Sequence, residues 1–368
     1  MPKAPSKRST QARTKSLSKT EKPRTASPEN VDFAKMSEAL VTWYRGVKRD
    51  LPWRMNRDPY RIWVSEVMLQ QTTVAAVIPF YERFMKRFPT LASLAEAPVG
   101  DVLEHWAGLG YYSRARNLHK SAQALMVNGF PRTHVELQEL PGFGPYTARA
   151  VSSLAFDEKT GVLDGNVIRV LSRVFGISAE FWKPQGRAEL QTLADHLAQV
   201  EHPADLNQGM MELGATVCTP QSPACLLCPW QKTCVARNTD RIDELPLKKP
   251  RRDREIWLWN AVVFEKDEAV LFVPNTYAPF LKGHWILPGT VERVTSAPKT
   301  FDYKGTVTHH DIFVTVSRAT ANFKGRFKGE QKWVKRTELS RQIPASMIRK
   351  AIDYDGKRKT AAQESLLT

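Results

Sequence analysis

Negative charge is scarce in this sequence: 38 Asp and Glu stand against 54 Lys and Arg, a formal net charge of +16 over 368 residues. Such an imbalance favours a polyanionic partner, a nucleic acid first and an anionic membrane surface second; a merely basic soluble protein is the alternative. Long hydrophobic runs are missing too. No stretch reaches the ~18 apolar residues of a membrane span, and the first residues lack the apolar core of a secretory signal, so a soluble, intracellular protein is expected. Cysteine is sparse, and four in so long a chain do not make a disulfide scaffold. The 42% of residues that are hydrophobic suffice for a substantial core, divided over two or three domains.

Residues 1–30 have no aromatic side chain and set Lys3, Lys7, Arg8, Arg13, Lys15, Lys19, Lys22 and Arg24 against only Glu21 and Glu29. They cannot bury enough apolar surface to fold alone and read as a disordered basic arm, either attracting DNA non-specifically or inert. Residues 31–238 have a helical texture, with apolar residues at three- and four-residue steps in Phe33-Met36-Leu40-Trp43-Tyr44, in Trp63-Val67-Val74-Val77 and in Val102-Trp106. Residues 239–255 break the pattern and end in the basic run Leu247–Arg254, an interdomain linker lying along a phosphate backbone or free in solvent. Strands follow. Trp257–Phe264 and Ala269–Val273 flank the polar Glu265–Glu268 as a hairpin, Asp311–Val316 is a further strand and Ala345–Ile352 a closing helix. Residues 256–352 are thus a small α+β domain, with a loose tail over 353–368.

The cysteines fall in one short stretch, Cys218-x6-Cys225-x2-Cys228-x5-Cys234. Clustered thiolates without histidine suit an all-cysteine zinc site or a [4Fe–4S] cluster. Zinc ribbons pair their cysteines in two C-x2-C knuckles, and only one is present. Leu140-Pro-Gly-Phe-Gly144 separates two helical segments, with Pro145 suited to the first turn of the second. Gly142 and Gly144 permit a tight turn whose amides bind a phosphate without sequence preference; a plain helix connector is the other reading. Glu66 is an acid in the largely apolar run Ile62–Leu69. Desolvated there, it holds a proton near neutrality; otherwise it marks a solvated helix face. Asp164, in Val162–Arg169 just before a helical run, suits an N-cap whose backbone donors keep it ionised. An ionised Asp with a protonatable Glu is the pair that cleavage of an N-glycosidic bond needs.

Longer motifs sharpen this. Leu51-Pro-Trp-Arg54, Asp58-Pro-Tyr-Arg-Ile-Trp-Val-Ser-Glu-Val-Met-Leu-Gln-Gln-Thr72, Gly108-Leu-Gly-Tyr-Tyr-Ser-Arg-Ala-Arg-Asn117 and Leu163-Asp-Gly-Asn-Val167 resemble the signatures of MutY-type adenine DNA glycosylases, in that family's order. The cysteine spacing is similar to the cluster loop of the wider endonuclease III superfamily. The resemblance implies a mainly α fold: a two-lobed helix–hairpin–helix core with an iron–sulfur loop, followed by an α+β Nudix-like domain. It implies a [4Fe–4S] cluster on Cys218, Cys225, Cys228 and Cys234. It further implies that Glu66 protonates adenine and later assists water, that Asp164 stabilises the oxocarbenium ion or forms a transient adduct, and that Asn166 supports Asp164. Tyr146 matches the position where bifunctional relatives carry a Schiff-base lysine; a phenol forms no imine, so a monofunctional enzyme is expected. Gln71 and Tyr111 match residues that enter the DNA stack, and Trp53, Arg54, Gln208 and Glu212 are expected to line the adenine pocket.

For the C-terminal domain the implied role is detection of 8-oxoguanine, and no Glu-rich Nudix hydrolase box is present. Where the family commonly reads Phe-Ser-His, this chain has Val307-Thr308-His309, keeping the hydroxyl and imidazole but losing the aromatic. The implied partner is double-stranded DNA carrying A opposite 8-oxoguanine or guanine, met by a monomer in a bacterial cytoplasm, or in a nucleus or mitochondrion. The rival readings are an endonuclease III-like lyase on oxidised pyrimidines, a thymine-mismatch glycosylase, and a non-catalytic damage sensor or cluster-based redox protein. Tyr146 and the extra domain count against the lyase, the extra domain against the thymine enzyme, and the retention of both Glu66 and Asp164 against the last.

Overall fold

The computed structural model describes residues 31–250, 253–320, 329–343, 345–354 and 359–360; the basic arm over 1–30 lies outside them. Among the described residues the helices are, in order, α1 (Phe33–Val47), α2 (Pro59–Leu69), α3 (Val74–Arg87), α4 (Leu91–Ala95), α5 (Val99–His105), α6 (Tyr112–Asn128), α7 (His134–Leu137), α8 (Pro145–Phe156), α9 (Gly165–Phe175), α10 (Pro184–Leu197), α11 (Pro203–Thr216) and α12 (Val235–Asn238). None is long and apolar enough to cross a membrane.

These helices enclose two apolar cores. One gathers α2 to α8 around Trp63, Phe84 and Trp106. The other joins α1 to α9, α10, α11 and the cysteine loop around Leu40, Val170, Leu190, Leu213 and Trp230. The first helix among the described residues therefore completes the second lobe, with α1 packed along α11. In the first lobe Trp63 stacks on Phe143 at 5.0 Å between ring centroids and meets Phe130 edge-on. A buried aromatic in such a setting contributes about 3–5 kcal/mol against truncation to Ala.

Local chemistry sets where the site-bearing helices begin. The Asp58 carboxylate accepts the Tyr60 amide at 2.9 Å and Pro59 occupies the first turn of α2, an arrangement that suits a residue with no N–H to satisfy. Asp164 caps α9 by accepting the Val167 amide at 2.7 Å, and Gly176, at φ 68°, closes it. The apolar steps Trp63-Val67-Val74-Val77 run across two helices, because the chain turns between Leu69 and Val74 with Gln71 at φ 58°.

The segment after α12 is anchored to the helical domain in its first part, while residues 248–250 and 253–254 are exposed. Leu245 is buried, and the Arg173 guanidinium of α9 donates to the carbonyls of Ile242 and Leu245 at 3.1 and 2.9 Å.

The strands β1 (Glu255–Lys266), β2 (Ala269–Pro274), β3 (Trp285–Ile286), β4 (Gly289–Val294), β5 (Thr300–Phe301), β6 (Tyr303–Val307), β7 (His310–Thr320) and β8 (Lys332–Lys335) follow, with α13 (Leu339–Gln342), α14 (Ser346–Ile352) and β9 (Lys359–Thr360). β1 is the axis of the sheet: it pairs antiparallel with β2 and β4 and parallel with β7, which continues antiparallel into β6. Met347, Ile348, Ala351 and Ile352 of α14 are buried in the core this sheet forms. Two expectations change. The polar hairpin loop shrinks to Asp267 and Glu268, at φ 50° and 59°, because a two-residue turn with both residues left-handed matches the strand twist and draws Glu265 and Lys266 into the ladder. Lys359–Thr360, expected in a loose tail, pair with β5.

Candidate active site

Between the two helical lobes opens a cavity of about 770 Å³ lined by Trp53, Arg54, Glu66, Tyr146, Asp164, Asn166, Gln208 and Glu212, among others. All eight residues assigned to catalysis or the adenine pocket in the sequence thus share one space. Glu66 comes from α2 in the first lobe and Asp164 from the start of α9 in the second, so the pair exists only because the lobes face each other. Gln71, Tyr111, Gly142, Gly144, Thr308 and His309 are not in the cavity wall.

Glu66 has no solvated face. It is 4% exposed on a helix buried from Ile62 to Met68. Its partner is the Tyr146 hydroxyl, which donates to Oε2 at 2.6 Å. Burial raises the Glu66 pKa to about 7 and nearby Asp164 adds to it, while the Tyr146 hydrogen bond and the more distant Arg54 hold it back. Asp164 accepts from the Val167 amide at Oδ1 and from Asn166 Nδ2 at 3.1 Å at Oδ2. Burial pushes its carboxyl above the ordinary range; the Val167 and Asn166 donors, with Arg169, pull it back toward the ionised form. The cap alone therefore does not set its charge. Tyr146 is held neutral, its pKa driven well up by burial first and by both carboxyls after that.

The opposite wall is charged and paired. Glu212, 1% exposed on α11, takes Arg49 at 2.5 and 3.0 Å and Arg54 at 2.9 Å. Burial pushes this carboxyl up, but the two guanidiniums outweigh it and hold it below the usual range. Gln208 accepts from the Tyr44 hydroxyl at 2.7 Å, and Arg54 lies over the Tyr44 ring at 5.6 Å. Tyr44 and Arg49 had no signal in the sequence: they sit in α1 and a charged run just beyond it, and only the return of α11 brings them to the cavity.

Behind Asp164, Arg169 donates to Asn166 Oδ1 at 2.9 Å and to the carbonyls of Cys218 and Gly214 at 2.7 and 2.6 Å. One guanidinium thus ties the cysteine loop to the residue that orients Asp164. Cys218, Cys225, Cys228 and Cys234 surround a common small cavity walled by Val170, Val174 and Leu213, with Arg173 Nη1 3.5 Å from Cys218 Sγ. Among the described residues the one trio of His, Cys, Asp or Glu with ligand atoms within 4.8 Å of one another is Glu255, His309 and His310. No three of the four cysteine sulfurs lie within 4.8 Å of one another, and the four-thiolate donor set suits an iron–sulfur cluster or a metal ion.

The remaining assigned residues lie on exposed turns. Gln71 and Tyr111 both have left-handed backbones, φ 58° and 48°, and Tyr111 is 57% exposed rather than packed in a core. Gly142, at φ 85°, and Gly144 form the exposed turn before α8; a side chain at Gly142 would meet Asn117 Cβ at 2.7 Å. Thr308 and His309 make the two-residue turn between β6 and β7. Thr308 is at φ 55°, and its hydroxyl lies 3.4 Å from His309 Nδ1.

A two-lobed helical fold with a glycine turn beside an acid-lined cleft defines a class, and residues 64–195 match the model for the HhH-GPD superfamily of base excision DNA repair proteins. The solved structure of a thermostable thymine-DNA glycosylase aligns over 56% of this chain and 97% of its own, with a TM-score of 0.51 and 29% identity. The adenine DNA glycosylase of Rattus norvegicus is 48% identical over 230 residues, 58% of this chain and 45% of the rat protein. That of Buchnera aphidicola subsp. Schizaphis graminum is 37% identical over 259 residues, 68% of this chain and 74% of that relative. The chain belongs to the adenine DNA glycosylase family. It spans less than half the length of the rat, mouse and human relatives it matches.

The folded protein keeps Glu66 protonated up to about pH 7, whereas an ordinary Glu ionises from 4.5. The fold therefore loses stability as pH rises between those values. Glu66→Gln should exceed the wild type by less than about 1 kcal/mol near pH 5 and by roughly 3 kcal/mol at about pH 8 in urea unfolding. Equal stability at both pH values would put the Glu66 carboxyl back in the ordinary range.

Proposed function

We propose that this protein is a monofunctional DNA glycosylase that removes adenine mispaired with 8-oxoguanine or guanine. The observation that carries the reading is the buried Glu66 carboxyl, protonated near neutrality, facing the donor-held Asp164 across one cavity. Glu66 gives its proton to the base. The bond from the sugar carbon to the base nitrogen breaks with its electron pair leaving on the now neutral adenine. The Asp164 carboxylate stabilises the positive sugar, and water then adds to the sugar carbon and returns a proton to Glu66. Tyr146 and Asn166 orient the two carboxyls. No amine stands where Tyr146 does, which supports hydrolysis without strand cleavage. Trp53, Arg54, Gln208 and Glu212 wall the side where the extruded base enters, with Glu212 ionised by its two arginines and able to accept from an exocyclic amine.

The DNA-facing parts are the turns outside the cavity. The net charge supplies non-specific attraction, Gly142 and Gly144 offer backbone amides to a phosphate, and Gln71 and Tyr111 are the wedges that hold the duplex open while adenine is flipped out. Cys218, Cys225, Cys228 and Cys234 would hold a [4Fe–4S] cluster, which braces the loop that Arg169 joins to Asn166. Thr308 and His309 read the lesion, and a lone protein chain suffices for all these roles.

Three outcomes follow from this reading. Glu66→Gln should lower single-turnover adenine release by at least about 10²–10⁴-fold with duplex binding largely kept, measured on matched duplexes carrying A opposite 8-oxoguanine, A opposite G and thymine glycol. Near-normal excision by the variant, or wild-type release of thymine glycol instead, would remove the assignment. Protein prepared without air should be brown, absorb near roughly 400 nm and contain iron; stoichiometric zinc without iron would overturn the cluster. Thr308→Ala with His309→Ala should cut the preference for 8-oxoguanine over guanine opposite adenine about tenfold at one fixed salt concentration, as loss of a discriminating contact of about 1–3 kcal/mol implies. An unchanged ratio would place lesion reading elsewhere.

A further inference from the structure

We infer that Arg114 is a positioning residue that sets both wedge residues at once, an inference that rests on the proposed roles of Gln71 and Tyr111. Its side chain bridges two turns distant in sequence. Nη1 donates to the carbonyls of Val67 at 2.7 Å, Met68 at 3.2 Å and Gln70 at 2.7 Å. Nη2 donates to those of Leu109 at 3.2 Å and Gly110 at 3.4 Å. Each set of carbonyls ends on the residue immediately before a wedge: Gln70 before Gln71, Gly110 before Tyr111. Val67 and Met68 lie in the last turn of α2, where carbonyls have no partner within the helix and carry its negative dipole end.

The two wedges are also two of the nine non-glycine residues with positive φ among the described residues. Both are non-glycine residues with left-handed φ, a conformation that persists only when its surroundings over-determine it. Arg114 supplies that constraint from below, with its guanidinium carbon 5.5 Å from the ring centres of both Trp106 and Tyr111. Trp106 adds an indole hydrogen bond to the Gly110 carbonyl at 3.1 Å. Among the described residues no carboxylate pairs with this arginine, whereas Arg49, Arg54 and Arg57 all have acidic partners. Its two terminal nitrogens bond main chain alone, and Nε is buried without a hydrogen-bond partner.

A planar fork with donors on two nitrogens can hold two separate turns in register; an ammonium is a point charge and holds one. Arg114→Lys therefore keeps the charge, and any attraction to phosphate, while breaking the bridge. The test uses full-length protein with its metal content intact and compares wild type, Arg114→Lys and Arg114→Met. Single-turnover excision is measured on a fully paired duplex with A opposite 8-oxoguanine, and on the same strand with the target adenine inside an unpaired bubble that needs no wedge. Amide hydrogen exchange over residues 70–73 and 108–112 is followed in parallel.

The expected result is at least a tenfold loss on the paired duplex for both variants, with near wild-type rates in the bubble. Exchange should be faster in those two segments and unchanged in α9 and α11. Rescue by Arg114→Lys on the paired duplex would reduce the role to charge, and an equal loss on both substrates would reduce it to general stability; either overturns the inference. Gln71→Ala and Tyr111→Ala serve as controls. If they show no difference between paired and bubble substrates, the wedge reading itself fails, independently of Arg114.

Discussion

One constraint organises this protein: a carboxyl in a helix whose residues 62–68 are all buried. A Glu in the middle of a fully packed α2 is tolerated only as the neutral acid or with a strong partner, and the structure gives it a single phenol. That economy of partners keeps the proton on Glu66. Tyr146 must in turn be held at hydrogen-bonding distance, which fixes α8, and therefore the glycine turn that starts α8, against α2.

The second lobe answers with the opposite treatment of the other acid. Asp164 opens a helix instead of lying within one, so although burial still raises its pKa, backbone amide, Asn166 and Arg169 all favour its charge. Arg169 extends this support to the Cys218 carbonyl, so distortion of the cysteine loop is felt at the cleft through three hydrogen bonds. Burial thus raises both carboxyls, the donors around Asp164 oppose that push more than the single phenol on Glu66 does, and the cleft between the lobes is where the difference becomes chemically useful.

The parts legible in the sequence are those whose chemistry is local. Asp164 and Asn166 sit two residues apart at a helix start, Glu66 stands out in an apolar run, and the cysteines carry their own spacing. Arginines were the main omission. Arg49, Arg114 and Arg169 look like solvated charges in their own segments, and their partners lie as far as 163 residues away. The hairpin between β1 and β2 was legible, but the extent of its turn and the break at Gln71 were not, for a related reason. The hairpin at Asp267-Glu268 and the break at Gln71 use left-handed residues without glycine or asparagine, so the usual sequence mark of such a conformation is absent.

The central claim is that Glu66 carries a proton near neutrality in the folded protein, and it is open to direct titration. With the carbon of every glutamate carboxyl isotopically labelled, nuclear magnetic resonance across the pH range should show one carboxyl titrating near 7, and that signal should be missing from Glu66→Gln. If every labelled carboxyl in the folded wild type, Glu66 included, has finished titrating below about pH 5, as unperturbed glutamates do, Glu66 is an ordinary carboxylate and the account of this site is wrong.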